Sequence, residues 1–209
     1  MSKEQCINNW REMHEGNKYF LEHPHYQELH LNNSGIAREL SVNAGLFFID
    51  DVLEIGCGYG RMMNAISHRV NTVTGIDLHD APLDAAKELF WDKANLSFVK
   101  NDGYTIPFDD ECFDLVYSVS SLQHMPREVV ASYIRETVRV LRTRGRMFME
   151  FLAAPVGASD IDPASVCEQS VGWTHDEIEK LFLNIGNMDR KYVGGIDGEG
   201  SIILIGVKE

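Results

Sequence analysis

Val52-Leu53-Glu54-Ile55-Gly56-Cys57-Gly58-Tyr59-Gly60-Arg61 is an apolar strand pattern that runs into three closely spaced glycines and then a stretch of helical period. Glycines let the backbone turn tightly and let a ligand approach with no Cβ in the way. A helix opening at Arg61 would turn its free N–H groups and the positive end of its dipole toward that ligand. A dinucleotide fingerprint places its third glycine three residues after the second, whereas Gly58 and Gly60 are two apart, so the spacing argues against a bound pyrophosphate. Glu54, in the strand just before the loop, also sits badly beside a diphosphate and suits a ligand that carries an ammonium group. A plain strand-to-helix turn is the alternative for the same residues.

The next two strand patterns also end on acids. Val73-Thr74-Gly75-Ile76-Asp77-Leu78 brings Asp77 about 20 residues past the first glycine, where a carboxylate accepts from both hydroxyls of an unphosphorylated ribose. Leu78 comes next as an apolar surface for the face of an adenine. Lys100-Asn101-Asp102-Gly103 closes a third strand, and Asp102 is placed to accept from the adenine amino group, with Gly103 beside it. Asp102-Gly103 also reads as an ordinary turn pair.

The rest of the chain continues the alternation. Strands are expected at residues 52–56, 72–77, 96–101, 113–120 and 146–151, with helices at 61–69, 81–93 and 127–142. That order is the signature of βαβ units around a parallel sheet. The third helix is the clearest, with Val130, Ile134, Val138 and Leu141 on one face and Pro126 suited to its first position. A later helix opens on Thr174-His175-Asp176-Glu177, a capping-box pattern, and is expected to stop at Gly186. Residues 190–193 and 201–208 are two strand-like runs with no room for a helix between them, which implies a hairpin. Residues 1–48 read as a small helical cap or lid, and residues 49–209 as one domain.

Composition narrows the function. Of the 209 residues, 44% are apolar and 24% charged, as in an ordinary globular protein. A formal net charge of −13 disfavours nucleic acid as a partner. No apolar run approaches the ~20 residues that a membrane span needs, and the amino terminus lacks a signal-peptide stretch, so neither membrane insertion nor secretion is expected. Cys6, Cys57, Cys112 and Cys167 have no metal-ligand spacing and read as reduced cytoplasmic thiols.

These motifs together resemble the class I S-adenosylmethionine-dependent methyltransferase family over residues 51–209. Glu54-Ile55-Gly56-Cys57-Gly58-Tyr59-Gly60 looks like its first motif, Asp77 like its ribose acid and Asp102 like its adenine acid. Residues 107–116 resemble the run into its fourth strand, and residues 139–146 the turn before its fifth. The resemblance implies a Rossmann-like seven-stranded, mostly parallel sheet with helices on both faces and an antiparallel carboxyl-terminal strand. It also implies S-adenosylmethionine as the cofactor, held by Glu54, Gly56, Cys57, Gly58, Gly60, Asp77, Leu78, Asp102 and Gly103. It leaves the methyl acceptor open.

Methyl transfer from a sulfonium relies on alignment and exclusion of water, with a base needed only for a protonated nucleophile. Ser118 is the candidate for the cofactor's amino group. His124 is the candidate base, with capping of the next helix or tethering of a loop as its alternative role. In the phosphoethanolamine methyltransferases a similar stretch pairs this histidine with an aspartate, and Ser120 stands at the aspartate's place here. The nucleic-acid-base motif of the family is missing, since Ser121-Leu122-Gln123-His124 comes after the fourth strand. Asp114 lies at the wrong end of its strand for a metal site, and no catalytic metal is expected. Tyr19, Tyr26, Gln123, Phe151 and Trp173 are candidates for lining the acceptor pocket, with Phe20, His23 and His25 near the first two. The expected function is methylation of an O, N or C atom of a small molecule. The alternative is a non-catalytic or regulatory binder of the same cofactor.

Overall fold

A computed structural model describes residues 8, 34–154, 171–183, 185, 188–194 and 200–209. Helix α1 (Ser34–Glu39) runs into a π-helical turn (Leu40–Gly45) and then strand β1 (Asp51–Ile55). Next come α2 (Arg61–Ile66), β2 (Thr72–Asp77), α3 (Asp80–Leu89), β3 (Leu96–Lys100) and β4 (Phe113–Ser118). The chain continues through α4 (Arg127–Val140), β5 (Leu141–Leu152), α5 (His175–Leu181), β6 (Met188–Gly194) and β7 (Ser201–Lys208). The strands form one seven-stranded sheet in the order β3-β2-β1-β4-β5-β7-β6. The first five run parallel, while β7 is antiparallel to both β5 and β6. This is the expected architecture, carboxyl-terminal hairpin included.

Alternation along the strands gives each face of the sheet its own core. Leu53, Ile55, Val116, Met147, Met149 and Phe151 pack under α4 and α5 through Val130, Ile134 and Ile178. Val52, Val73, Leu115, Tyr117 and Phe148 face the other way, onto Leu40 from the π-helical turn, Met62, Met63 and Ile66 from α2 and Leu83 from α3. The end of the segment read as a cap therefore shares the second core through Ala37, Leu40 and Ala44. Residues 1–33 are outside the described residues apart from Asn8.

Several boundaries differ from the sequence reading, each for a local reason. Strand β4 stops at Ser118 because Ser120 takes a left-handed φ of 54° and turns its N–H onto Glu150. Helix α3 stops at Leu89, where Phe90 leaves the helix and stacks on Phe98 with ring centroids 6.3 Å apart. Strand β5 begins five residues early, at Leu141, which pairs with Phe113. A register shift then absorbs the turn at Arg144, φ 64°. Pro126 is the N-cap of α4 rather than its first helical residue. The capping box at Thr174 forms as expected, yet α5 ends at Leu181, well before Gly186, which is not among the described residues.

Candidate functional site

In an open parallel sheet the ligand crevice lies outside the carboxyl ends of the strands, where connections leave a central pair in opposite directions. Here that pair is β1 and β4: the chain winds from β1 to β2 and β3 on one side, then returns to β4 and goes on to β5. The glycine loop leaves β1 at this edge and residues 119–125 leave β4 beside it.

The glycine loop is pinned from below, since Gly56 and Cys57 donate their N–H groups to the Ile76 carbonyl at 2.9 and 3.1 Å. Gly56 (φ 72°) lies under Ser121, whose Oγ would be 1.8 Å from a Cβ added there. No other residue fits between the two loops. Gly58 (φ 49°) is different: a Cβ added to it would meet nothing within 4 Å, so its exposed side is open to an approaching ligand. Its N–H donates to Asp77 Oδ2 at 2.9 Å, while Asp77 Oδ1 accepts from the His79 N–H at 3.2 Å. Asp77, the last residue of β2, thus holds its carboxylate against the open glycine. Cys57 faces inward, and burial pushes its thiol well above the usual range.

Glu54 is 3% exposed and accepts from the Tyr117 hydroxyl at 2.8 Å. The two stand directly opposite each other in the β1–β4 register, on one face of the sheet. Burial raises the Glu54 carboxyl to about 8 against the opposing pull of Tyr117, Arg61 and the Met63 backbone. The acid is therefore mostly neutral at pH 7, and a cation placed against it would draw the proton off.

Leu78 is half-buried and lies against Gly103, where a Cβ would come within 3.4 Å of Leu78 Cδ1. Asp102 serves its own turn, accepting from the N–H groups of Tyr104 and Thr105 at 2.8 and 2.7 Å and from Thr105 Oγ1 at 3.0 Å. Burial works to raise its carboxyl, but these donors outweigh it and hold the group below its ordinary range. Both readings of Asp102-Gly103 are compatible with this geometry, because a carboxylate offers about four acceptor positions. Ser118 is fully buried and donates its hydroxyl to Ile55 O at 3.0 Å, tying β4 to β1 beneath the crevice rather than facing it.

His124 closes a short 3₁₀ turn (Leu122–His124), its N–H on the Ser121 carbonyl at 3.0 Å. The imidazole is half-buried, which lowers it from its ordinary value and favours the neutral form. The neighbouring Gln123 carbonyl accepts from Val171 N at 2.7 Å. Phe151 and Trp173 do not line the crevice. They are 0% and 2% exposed, packed edge to face at 5.5 Å, with the Arg127 guanidinium 4.4 Å over the indole. Period-2 alternation puts Phe151 on the core face with Met147 and Met149. Tyr19, Tyr26, Phe20, His23 and His25 lie outside the described residues.

Two participants escaped the sequence reading. Tyr117 is visible only once the register sets it opposite Glu54. Glu150, one acid in an apolar strand, is 8% exposed and reaches Ser120 N at 2.6 Å. A cavity of about 540 Å³ lined by Asp110, Glu111, Arg135, Arg139 and Lys208 lies at the opposite, amino edge of β4 and is separate from this site.

An open glycine facing a strand-end carboxylate at the switch point of a doubly wound sheet places this chain among the open α/β proteins whose ligand crevice lies at the carboxyl edge of the strands. Residues 53–149, a little under half of the chain, match the family model for a methyltransferase domain, and curated relatives and solved structures support the likeness to class I S-adenosylmethionine-dependent methyltransferases. Its curated relatives include a phthiotriol/phenolphthiotriol dimycocerosates methyltransferase of Mycobacterium tuberculosis, 34% identical over 96 residues that are 45% of this chain and 34% of that one. Another is a 27-O-demethylrifamycin SV methyltransferase of Amycolatopsis mediterranei, 34% identical over 127 residues, 57% of this chain and 44% of that one. The chain thus spans only a third to under half of the length of these relatives. Among solved structures, a Haemonchus contortus phosphoethanolamine N-methyltransferase, in complex with phosphoethanolamine and S-adenosylhomocysteine, shares the fold with a TM-score of 0.73 at 14% identity. That alignment covers all of this chain (100%) and 50% of the other.

Proposed function

We propose that this protein transfers a methyl group from S-adenosylmethionine to an O, N or C atom of a small molecule. The observation that carries the reading is Asp77 held against the open face of Gly58, with the buried Glu54 in the strand below. Asp77 would take the ribose hydroxyls, Leu78 and Gly103 the adenine, Asp102 its amino group, and Glu54 the ammonium end. The cofactor would supply a methyl group already activated on sulfur, which leaves the protein to align the acceptor and exclude water. His124, kept neutral by its burial, has the protonation state of a base for an acceptor that must lose a proton.

A small acceptor is favoured by the named activities of the two curated relatives, both on small molecules, and by the net charge of −13, which repels polyanions. No helix among the described residues is long and apolar enough to cross a membrane, in keeping with a cytoplasmic enzyme. The test is to incubate the protein with methyl-labelled cofactor and a metabolite extract, then track label and S-adenosylhomocysteine by mass spectrometry. Label appearing in a small molecule is the expected result. Tight binding of the cofactor with no turnover on any fraction would favour the regulatory binder instead.

A further inference from the structure

The buried Glu150 carboxylate takes no part in the hydrogen bonds described above for the glycine loop and the strand-end acids. It stands near the carboxyl end of β5 and joins three segments. Its Oε2 accepts from Ser120 N at 2.6 Å and from Ser120 Oγ at 3.4 Å, and its Oε1 accepts from Ser201 Oγ, at the start of β7, at 3.2 Å. Ser120 is one of three non-glycine residues described with positive φ, at 54°. An L-residue adopts that conformation against a steric cost, and it persists where surrounding contacts impose it. The charge-assisted bond from a carboxylate to the Ser120 N–H is such a contact.

The backbone angle at Ser120 sets the course of the next five residues. Ser121 is held over Gly56, at a distance that only a glycine permits. The turn then closes through His124 N to Ser121 O at 3.0 Å and Met125 N to Leu122 O at 3.1 Å. Had Ser120 continued β4 in extended form, Ser121 would leave the glycine loop and His124 would move with it.

We infer that Glu150 is a positioning residue: its carboxylate holds Ser120 left-handed and so sets residues 120–125, His124 included, against the glycine loop. The consequence for turnover rests on the methyltransferase reading, whereas the consequence for the loop does not. The first measurement uses the unaltered protein: the Ser120 amide should exchange with solvent slowly, and rapid exchange there would overturn the assignment. Next, Glu150→Ala should speed exchange at the Ser120 and His124 amides by ~10-fold or more, the effect of losing one charge-assisted bond. With an acceptor in hand, it should lower kcat by a similar factor and leave the affinity for S-adenosylhomocysteine within a few-fold of the parent.

The deciding variant adds Ser120→Gly to Glu150→Ala. Glycine occupies the left-handed region without the Cβ penalty, so the double variant should recover part of the protection at the His124 amide and part of the kcat, while the N–H of residue 120, still without its acceptor, stays fast. A generally weakened structure would instead be loosened further by an added glycine, and that result would overturn the inference. If Glu150→Ala does not fold, recovery of folding in the double variant supports the assignment, and failure of both leaves the exchange of the unaltered Ser120 amide to decide it. A slow Ser120 amide in a protein that binds no sulfur nucleotide would refute the methyltransferase reading while upholding Glu150's role.

Discussion

In the proposed site, Asp77 is the side chain expected to make two charge-assisted bonds to the cofactor at once. A carboxylate with two ribose hydroxyls makes charge-assisted bonds of ~1.5–3 kcal/mol each. Asp77→Ala should therefore weaken S-adenosylhomocysteine binding by roughly tenfold or more, read by calorimetry, and unchanged affinity would mean that the cofactor lies elsewhere. His124→Ala should bind cofactor normally and lose ~10²–10⁴-fold in rate if the imidazole takes the acceptor's proton. A stable, fully active variant would show that the acceptor arrives already unprotonated. Glu54 makes a prediction about pH. Its folded-state value of about 8 is raised above the ordinary carboxyl value of 4.5, so the folded chain holds a proton that the unfolded chain has lost. Stability from this group is complete below about pH 4.5 and is lost as pH rises through about 8. The ligand-free protein should lose melting temperature across that window relative to Glu54→Gln, whose side chain does not titrate, and parallel curves would refute the assignment. Asp77, Glu54 and the glycines were legible in the sequence because an acid at a fixed spacing from a turn has few structural uses. Tyr117 and Glu150 were not, because their partners are set by strand register and by a loop's backbone angle.

At the scale of elements, legibility depended on how local each signal was. Thr174 and Glu177 form the expected capping box, with Glu177 N on Thr174 Oγ1 and Thr174 N on Glu177 Oε2. Such a cap is decided within four residues. Thr174→Ala should cost ~1 kcal/mol, which for a chain of this length lowers the melting temperature by roughly 2–4 °C. A melt unchanged within 1 °C would mean that tertiary contacts alone hold α5, an outcome its seven residues make a fair test. The early start of β5 was illegible for the opposite reason. Leu141 to Gly145 has the composition of a helix end, and only pairing of Leu141 with Phe113, 28 positions away in the sequence, makes it strand. Phe151 and Trp173 misled because an aromatic at a strand end reads the same whether it lines a cleft or fills a core. The alternation that assigns Phe151 to the core becomes decisive once the neighbouring strands are in place.

For the whole molecule, the crevice at the β1–β4 switch point is assembled from segments far apart in sequence: the glycine loop, the end of β2, the turn after β3 and the loop after β4. A ligand that touches several of these at once links them, and one that binds only the folded state raises its stability by mass action. S-adenosylmethionine and S-adenosylhomocysteine should each stabilise the chain against heat, by ~2.7 kcal/mol at 100 times the dissociation constant. NAD should not, because its diphosphate would have to approach the glycine loop near Glu54 and Asp77 without the glycine spacing that accommodates one. The heat of binding either sulfur nucleotide should also depend on the buffer. Both carry the ammonium that would ionise Glu54, so binding at pH 7 should release up to about one proton, seen as a dependence of the calorimetric heat on buffer ionisation enthalpy. That dependence should vanish in Glu54→Gln for both ligands. Stabilisation by NAD with indifference to both sulfur nucleotides would end the methyltransferase reading, whereas stabilisation without proton release would keep the cofactor and remove Glu54 from its ammonium end.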